Sequence, residues 1–287
     1  MQILSRMSKR GANFRIPKRH RMSTSILTSI KDMVDNTPVT DRQSTFDQLW
    51  ALTGELFERV QARFALEQDP SSMDLCPYQG FEGASGYLAN YSGPEVDWLT
   101  HSWTGNPKAS FTNMHLTVGL GPQVDVPHLG FALGTTPDFF VYMDYLPRRD
   151  LWANPDYADK YYGEANTAYL KMQAEAGFRP FVSHDFYTRV AQSPASICVG
   201  APVNDENMAV IRAAAHAHID QWFRMLDQAH VVPLDQRAAL AERDLHIRRS
   251  ITERDPANCV VDKLFGPELG QRLVGQLWGR DRQLPRP

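Results

Sequence analysis

The sequence has 287 residues, of which 43% are hydrophobic and 22% are charged, and its formal net charge at pH 7 is -3. This length and apolar content are enough to bury a sizeable core in one domain or in two closely joined ones. The lack of an excess of positive charge argues against nucleic acid as the main partner. No apolar run approaches the ~18 residues that a membrane span requires. These features predict a soluble globular protein.

The N-terminal segment differs in composition from the rest of the chain. Residues 1–31 contain several Arg, Lys and Ser residues and no acidic residue. This is typical of an organellar transit peptide, although an upstream translation start, with Met22 as the true one, explains it equally well. We predict a disordered leader over residues 1–40, a single domain over 41–280 and a short tail over 281–287. The protein is then expected in the cytoplasm, or in a plastid or another organelle if the leader is a transit peptide.

The first predicted helix spans about residues 44–66, because its apolar residues recur at spacings of three and four. These residues are Phe46, Leu49, Trp50, Leu52, Leu56, Phe57, Val60 and Phe64. The following segment, residues 68–110, is rich in Gly, Pro and Ser, with short apolar pieces at 87–91 and 96–103. We interpret it as loops with one or two edge strands that lead into a central sheet.

Three short apolar segments then follow at residues 114–120, 128–133 and 138–146, each bounded by Gly, Pro or Asp. Their β-branched and aromatic residues predict consecutive strands of an antiparallel meander. In the first segment the alternation places four apolar side chains on one face and His115 on the other. A histidine in that position is more often an ordinary sheet residue than a catalytic one.

The C-terminal half alternates between predicted helices and one more strand. Periodic apolar residues and end signals predict helices at 155–176, 205–230, 235–254 and 267–278, and a strand at 195–199. His216 and His218 are two residues apart on a helix, so they point in different directions and cannot bind one metal ion as residues i and i+4 can. The cysteines fit a reducing compartment, and no metal-ligand spacing joins them. We therefore predict no bound metal and an α+β or layered α/β/α domain.

Two long segments resemble a known family. The first reads DVPHLGFALG (125–134) followed by VYMDYLPRRDLWANPDYADKYY (141–162), and the second reads ERDLHIRRSITERDPANCVVDKLFGPELGQRLV (242–274). Both resemble the red chlorophyll catabolite reductases, which belong with the ferredoxin-dependent bilin reductases. Two long segments in the expected order are more specific than one short pattern. The resemblance implies an α/β/α sandwich with a central, mainly antiparallel sheet covered by helices on both faces.

The resemblance also implies a function. It is the reduction of a linear tetrapyrrole, such as a red chlorophyll catabolite or a bilin, by single electrons from reduced ferredoxin, with no cofactor bound. The protein then supplies positioned acids, because each electron must be matched by a proton. The expected partners are ferredoxin and the tetrapyrrole, and a homodimer is left open. Two alternatives remain: a reductase of an unrelated conjugated molecule, and a non-catalytic binder or carrier of a hydrophobic carboxylated ligand.

Three site positions follow from the resemblance, residue by residue. His115 lies where bilin reductases have a histidine that faces the pigment, and Asp255 matches an aspartate of the C-terminal signature, so we predict both as catalytic. Ala132 lies on the ligand-binding surface, where bilin reductases carry an Asp and chlorophyll catabolite reductases a Glu as a principal proton donor. A methyl group cannot donate a proton, so His115, Asp255 or a water held by them must take that role.

Five further polar residues are predicted to bind substrate. Arg148 and Arg149 follow a strand directly and offer the planar fork that suits a propionate carboxylate, and Arg248 offers a second clamp. Asp125 and His128 flank a turn at a strand entry. A salt-bridged turn or a solvated helix face explains these residues without any ligand.

Overall fold

The computed structural model describes residues 27–36 and 38–279. The strands are β1 (Leu27–Thr28), β2 (Glu67–Gln68), β3 (Tyr78–Gln79), β4 (Ser85–Ser92), β5 (Val96–Gly105), β6 (Thr112–Leu120), β7 (His128–Thr135), β8 (Phe139–Leu146), β9 (Arg179–Pro180), β10 (Val182–Ser183) and β11 (Ile197–Ala201). The α-helices are α1 (Ile30–Asn36), α2 (Gln43–Arg63), α3 (Pro155–Gln173), α4 (Phe186–Val190), α5 (Asp205–Asp227), α6 (Leu234–Arg254), α7 (Asn258–Phe265) and α8 (Pro267–Trp278). Two short 3-10 helices span Pro70–Leu75 and Pro107–Ala109.

The centre of the fold is one nine-stranded sheet. Its strand order is β2-β4-β5-β6-β7-β8-β11-β9, with β3 paired to β4, and all its pairings are antiparallel. The predicted meander is therefore confirmed, as is the fold class of an antiparallel sheet packed with helices. Strand β5 lies inside the sheet between β4 and β6, so the prediction that residues 96–103 form an edge strand is wrong.

The two faces of the sheet pack against different helices. On one face the apolar residues of β6 to β8 form the main core with α2, α3 and α5. The other face carries His115 and is contacted by α8 along β4 and β5. We call this second face the site face. The predicted alternation along β6 is confirmed, because Met114, Leu116 and Val118 are all fully buried in the main core.

The last turn of α8 is fastened to the site face by side chains. The backbone carbonyl of Leu277 accepts hydrogen bonds from the Trp98 indole N–H at 3.2 Å and from the Thr100 hydroxyl at 3.0 Å. The Asn90 amide donates to the carbonyl of Gln276 at 2.9 Å. These donors satisfy carbonyls that the end of a helix leaves without a partner. The helix is thereby held over the sheet at a defined position.

Five predicted helices match α2, α3, α5, α6 and α8 to within a few residues at each end. Proline at the first position of α3 and α8 explains their sharp starts, because the first turn of a helix needs no N–H from that residue. Helices α1, α4 and α7 were not predicted. Elements β1 and α1 lie within the predicted leader of residues 1–40, so the prediction of disorder is wrong for Leu27–Thr28 and Ile30–Asn36. Residues 1–26 and 37 lie outside the described residues. Among the described residues, no helix is long and apolar enough to cross a membrane.

Candidate functional site

A largely apolar cavity of about 140 Å³ lies between the site face and the C-terminal helices. The sheet contributes polar side chains, among them Ser102, Asn113 and His115. The opposite wall consists mainly of aliphatic side chains of α7 and α8: Val260, Val261, Leu264, Leu273, Val274 and Leu277. The arrangement can hold an apolar molecule against a few polar groups on the sheet, which is typical of small-molecule sites.

The two residues predicted as catalytic, His115 and Asp255, both line this cavity. His115 projects from the middle of β6. Asp255 is the residue that follows the last turn of α6, and its Oδ1 atom accepts a hydrogen bond from the N–H of Ala257 at 2.9 Å. The carboxyl group therefore lies in the short connection between α6 and α7.

Burial in the cavity shifts the pKa of each group in the direction of its neutral form. Burial lowers the pKa of His115 to about 4, so its imidazole is uncharged at neutral pH. Burial raises the pKa of Asp255, and the nearby Asp185 carboxylate raises it further. The hydrogen bond from the Ala257 N–H lowers this pKa and so opposes the shift. A carboxyl group that holds its proton more tightly than usual is suited to act as an acid near neutral pH.

The neighbouring strand β7 has only small side chains opposite His115. Ala132 lies directly across from His115 in the register, and Tyr142 of β8 lies directly across from Ala132. Side chains that are opposite each other in antiparallel strands share a face and stand ~4.5–5.5 Å apart at Cβ. Gly130 and Gly134 flank Ala132 on the same face, so this part of β7 offers at most a methyl group. The position beside His115 therefore holds no acid.

A second buried carboxyl group lies on the site face. Asp144 of β8 accepts hydrogen bonds from the Ser193 N–H at 2.8 Å, the Ser193 hydroxyl at 2.5 Å and the Tyr142 hydroxyl at 3.1 Å. Burial raises the pKa of Asp144 to about 6, although these donors oppose the shift. Asp144 fixes the loop before β11 to the sheet. Within the described ranges, no group of three His, Cys, Asp or Glu side chains could hold a metal ion.

None of the residues predicted to bind substrate is among the described residues that line the cavity. Arg148 is 1% exposed and donates to Asp244 of α6 at 3.0 and 2.7 Å and to the carbonyls of Gly121 and Val124 at 3.1 and 2.6 Å. Four of its five N–H donors are thus bound to other groups of the protein. The prediction that Arg148 binds a ligand carboxylate is therefore not supported, and its observed role is to anchor α6 to the end of β8.

His128 and Arg248 lie near the same buried anchor. The Nδ1 atom of His128 accepts a hydrogen bond from the Leu120 N–H at 3.0 Å, and its Nε2 atom lies 3.6 Å from Asp244. The guanidinium of Arg248 stands 5.3 Å from the ring centroid of Trp98. Both side chains are buried between α6 and the sheet, which gives them packing roles rather than the predicted contact with a substrate.

Asp125 and Arg149 form a local ion pair near the start of α3. The Arg149 Nε atom donates to Asp125 at 2.9 Å, and the Tyr161 hydroxyl donates to the same carboxylate at 3.3 Å. The two side chains are about one-third (Arg149) and one-fifth (Asp125) exposed. This is the salt-bridged turn that the sequence also allowed, away from the cavity.

Sequence reasoning missed Asn113 and most of the apolar wall. Asn113 lies two residues before His115 on β6, so strand alternation was enough to place it on the same face. The wall of α7 was missed because the helix has only eight residues and begins just after Pro256 and Ala257. The spacing of Val260, Val261 and Leu264 was its available signal.

An antiparallel sheet and C-terminal helices that enclose an apolar cavity lined by a histidine and an aspartate define an α/β protein with a candidate small-molecule site. A sequence model of the red chlorophyll catabolite reductase (RCC reductase) family matches residues 54–278, so the chain belongs to that family. Red chlorophyll catabolite reductase of Hordeum vulgare is 24% identical over 60% of this chain and 89% of its own length. The chloroplastic red chlorophyll catabolite reductase 1 of Oryza sativa subsp. japonica is 22% identical over 76% of this chain and 73% of its own length.

A solved structure shares the fold. Phytochromobilin synthase from tomato, crystallised in complex with biliverdin, superposes with a TM-score of 0.66 over 80% of this chain and 83% of its own, at 17% sequence identity. At this identity the likeness concerns the fold alone. It confirms the predicted fold of an antiparallel sheet packed with helices.

Proposed function

We propose that the protein is a ferredoxin-dependent reductase of a linear tetrapyrrole of the red chlorophyll catabolite or bilin type. The observation that supports this most is the meeting of His115 and Asp255, far apart in the sequence, in one apolar cavity. A conjugated pigment suits the aliphatic wall of α7 and α8. Membership of a family of red chlorophyll catabolite reductases supports the reaction class.

The proposed reaction adds two electrons and two protons to one carbon–carbon double bond of the pigment. Reduced ferredoxin supplies the electrons one at a time from outside the cavity. Asp255 supplies protons to the bound pigment, because it lines the cavity and burial raises the pKa of its carboxyl group. The apolar wall excludes water, which strengthens the interactions of the polar groups on the sheet with the intermediates.

At Ala132 this chain differs from the pattern that its family resemblance implies, which has an acidic residue at this position. An acid opposite His115 is missing, and removal of one general acid typically costs ~10²- to 10⁴-fold in rate. This observation favours a second candidate, in which the protein binds or carries a hydrophobic carboxylated ligand without reducing it. The two candidates make different predictions for the same sample.

The test is an anaerobic assay of the full-length chain with reduced ferredoxin and a set of linear tetrapyrroles, followed by visible absorbance. A change of the pigment spectrum on mixing and a blue-shifted product after reduction would support the reductase. A change on mixing without further change on reduction would support the carrier. Asp159→Asn and His230→Gln are the matched controls for Asp255→Asn and His115→Gln, because Asp159 and His230 are exposed and lie outside the cavity.

We also propose a plastid location, because the rice and Arabidopsis thaliana relatives are named as chloroplastic. The basic residues 1–31 would then act as a transit peptide. A fluorescent fusion of residues 1–40 that stays in the cytoplasm of plant cells would contradict this.

A further inference from the structure

Asn113 is the polar neighbour of His115 in the cavity. Both side chains leave β6 on the site face and line the cavity, and the Asn113 Nδ2 atom lies 3.0 Å from the His115 Nε2 atom. The Asn113 Oδ1 atom is buried and has no hydrogen-bond partner among the described residues. The amide group is therefore used by the protein mainly for its contact with the imidazole.

The contact indicates which ring nitrogen of His115 carries the proton. If the amide NH₂ points to the ring, Nε2 accepts and one buried oxygen is left unpaired. The observed orientation uses one of the two amide N–H groups in this contact, whereas the opposite orientation would leave both without a partner. The observed orientation is preferred, because a buried N–H without a partner is rarer than a buried carbonyl oxygen without one. Burial without an opposing charge keeps the imidazole neutral, with a pKa of about 4. A neutral ring that accepts at Nε2 carries its proton on Nδ1.

The other titratable groups near His115 come from several elements. Tyr78 of β3 and Asp255 after α6 line the same cavity, whereas Tyr142 and Asp144 of β8 and Cys198 of β11 share the site face. Burial raises the pKa of Tyr78 to about 12 and that of Cys198 to about 12, so neither donates a proton readily at neutral pH. Asp255 is the carboxyl group that shares the cavity with His115.

We propose that Asn113 is a positioning residue that holds the proton of His115 on Nδ1, so that His115 serves the ligand as a neutral hydrogen-bond donor while Asp255 is the proton source. The catalytic half of this inference rests on the proposed function. After the first electron from ferredoxin reaches the pigment, the O–H bond of Asp255 breaks and a C–H bond forms on the pigment. The Asp255 carboxylate regains a proton from solvent, and the second electron and proton follow in the same way. His115 keeps its proton throughout and stabilises negative charge that develops on the pigment.

The first test needs no turnover. Full-length protein labelled with ¹⁵N-histidine is studied by long-range ¹H–¹⁵N NMR at neutral pH, and the His115 signals are identified by their loss in His115→Gln. We expect an unprotonated Nε2 and a protonated Nδ1. In Asn113→Asp the carboxylate accepts from the ring, so the proton should move to Nε2 and the pKa of His115 should rise. In Asn113→Leu, which keeps the volume without a donor, the preference for one tautomer should be lost.

Two outcomes would overturn the inference. One is a protonated Nε2 in the natural protein. The other is a His115 signal that does not respond to Asn113→Asp, although the variant has the circular dichroism of the folded protein. Asn166→Asp on α3 is the matched control, because this exposed residue introduces the same charge outside the cavity.

The second test is the pH dependence of pigment reduction. We expect Asp255→Asn to lower the rate by ~10²-fold or more at every pH, as the loss of a general acid does. Asn113→Asp should instead shift the pH profile, because it brings the titration of His115 into the assayed range. An unshifted profile would contradict the positioning role. Absence of turnover in the natural protein would contradict the proposed function and leave the NMR result on the tautomer standing.

Discussion

The buried ion pair between Arg148 and Asp244 gives the sharpest prediction for stability. Asp244 is 4% exposed and Arg148 is 1% exposed, and together they join α6 to the end of β8. In Asp244→Leu the guanidinium stays buried without its carboxylate, which typically costs about 3–5 kcal/mol. Since a domain of this kind is stable by about 5–15 kcal/mol, this is a large fraction of the total.

The double variant Arg148→Met with Asp244→Leu separates a buried charge from lost packing. Replacing both partners with apolar residues is often neutral or stabilising. We therefore expect the double variant to be more stable than Asp244→Leu by at least about 2 kcal/mol. Urea unfolding followed by tryptophan fluorescence measures both. Asp74→Asn is the control, because its pair with Arg272 is exposed and such pairs contribute about 0–1 kcal/mol.

The dependence of stability on acidic pH is a second test of the ion pair between Arg148 and Asp244. Burial alone would raise the pKa of Asp244, but its contacts with His128 and Arg148 outweigh burial and lower the pKa to about 2. A carboxyl with a lowered pKa stabilises the fold above its unfolded pKa of about 3.9, and this stability is lost as pH falls towards 2. The double variant should lose about 2 kcal/mol less than the natural protein over this range. A cost below about 1 kcal/mol for Asp244→Leu would refute this account of the anchor.

Three more predictions test the buried histidines, the missing acid and the cavity wall. Burial lowers the pKa of His218 to about 3, so the contribution of this histidine to the free energy of unfolding is present above about pH 6.5 and is lost on acidification. His218→Phe should reduce the loss of unfolding free energy between pH 6.5 and 4.5 by about 2–3 kcal/mol, as measured by urea unfolding. An unchanged loss would contradict this prediction. Ala132→Glu should raise the pKa of His115 measured by NMR, because the new carboxylate lies opposite the imidazole, and an unmoved pKa would show that the two side chains do not share a face. Val261→Phe should weaken pigment binding by roughly tenfold in an absorbance titration while unfolding changes little, since the larger ring fills part of the cavity; unchanged affinity would place the ligand elsewhere.

The sequence predicted elements with strong periodicity and missed contacts between distant segments. The alternation along β6 was enough to place His115 on the face opposite the core, and the regular apolar spacing of α2 and α5 gave their positions. Arg148 was misread because its partner Asp244 is 96 residues away, and no local pattern announces such a pair. Asp255 entered through family resemblance alone, since nothing in its neighbourhood shows which part of the sheet it will meet.

The position of α7 shows why the cavity itself could not be predicted. Eight residues with little end signal do not stand out from a loop, yet they supply much of the wall that faces His115. The cavity is lined jointly by this helix and by strands far away in the sequence. Local propensity does not report that packing.

The most direct test of the proposed function is single-turnover reduction of a bound linear tetrapyrrole in the natural protein, in His115→Gln and in Asp255→Asn. A binding titration comes first and must show that all three retain the pigment. We predict that the natural protein gives a blue-shifted product, that Asp255→Asn stops or slows by ~10²-fold or more with a one-electron intermediate detectable by electron paramagnetic resonance, and that His115→Gln is slowed less. Undiminished reduction in Asp255→Asn would contradict the account.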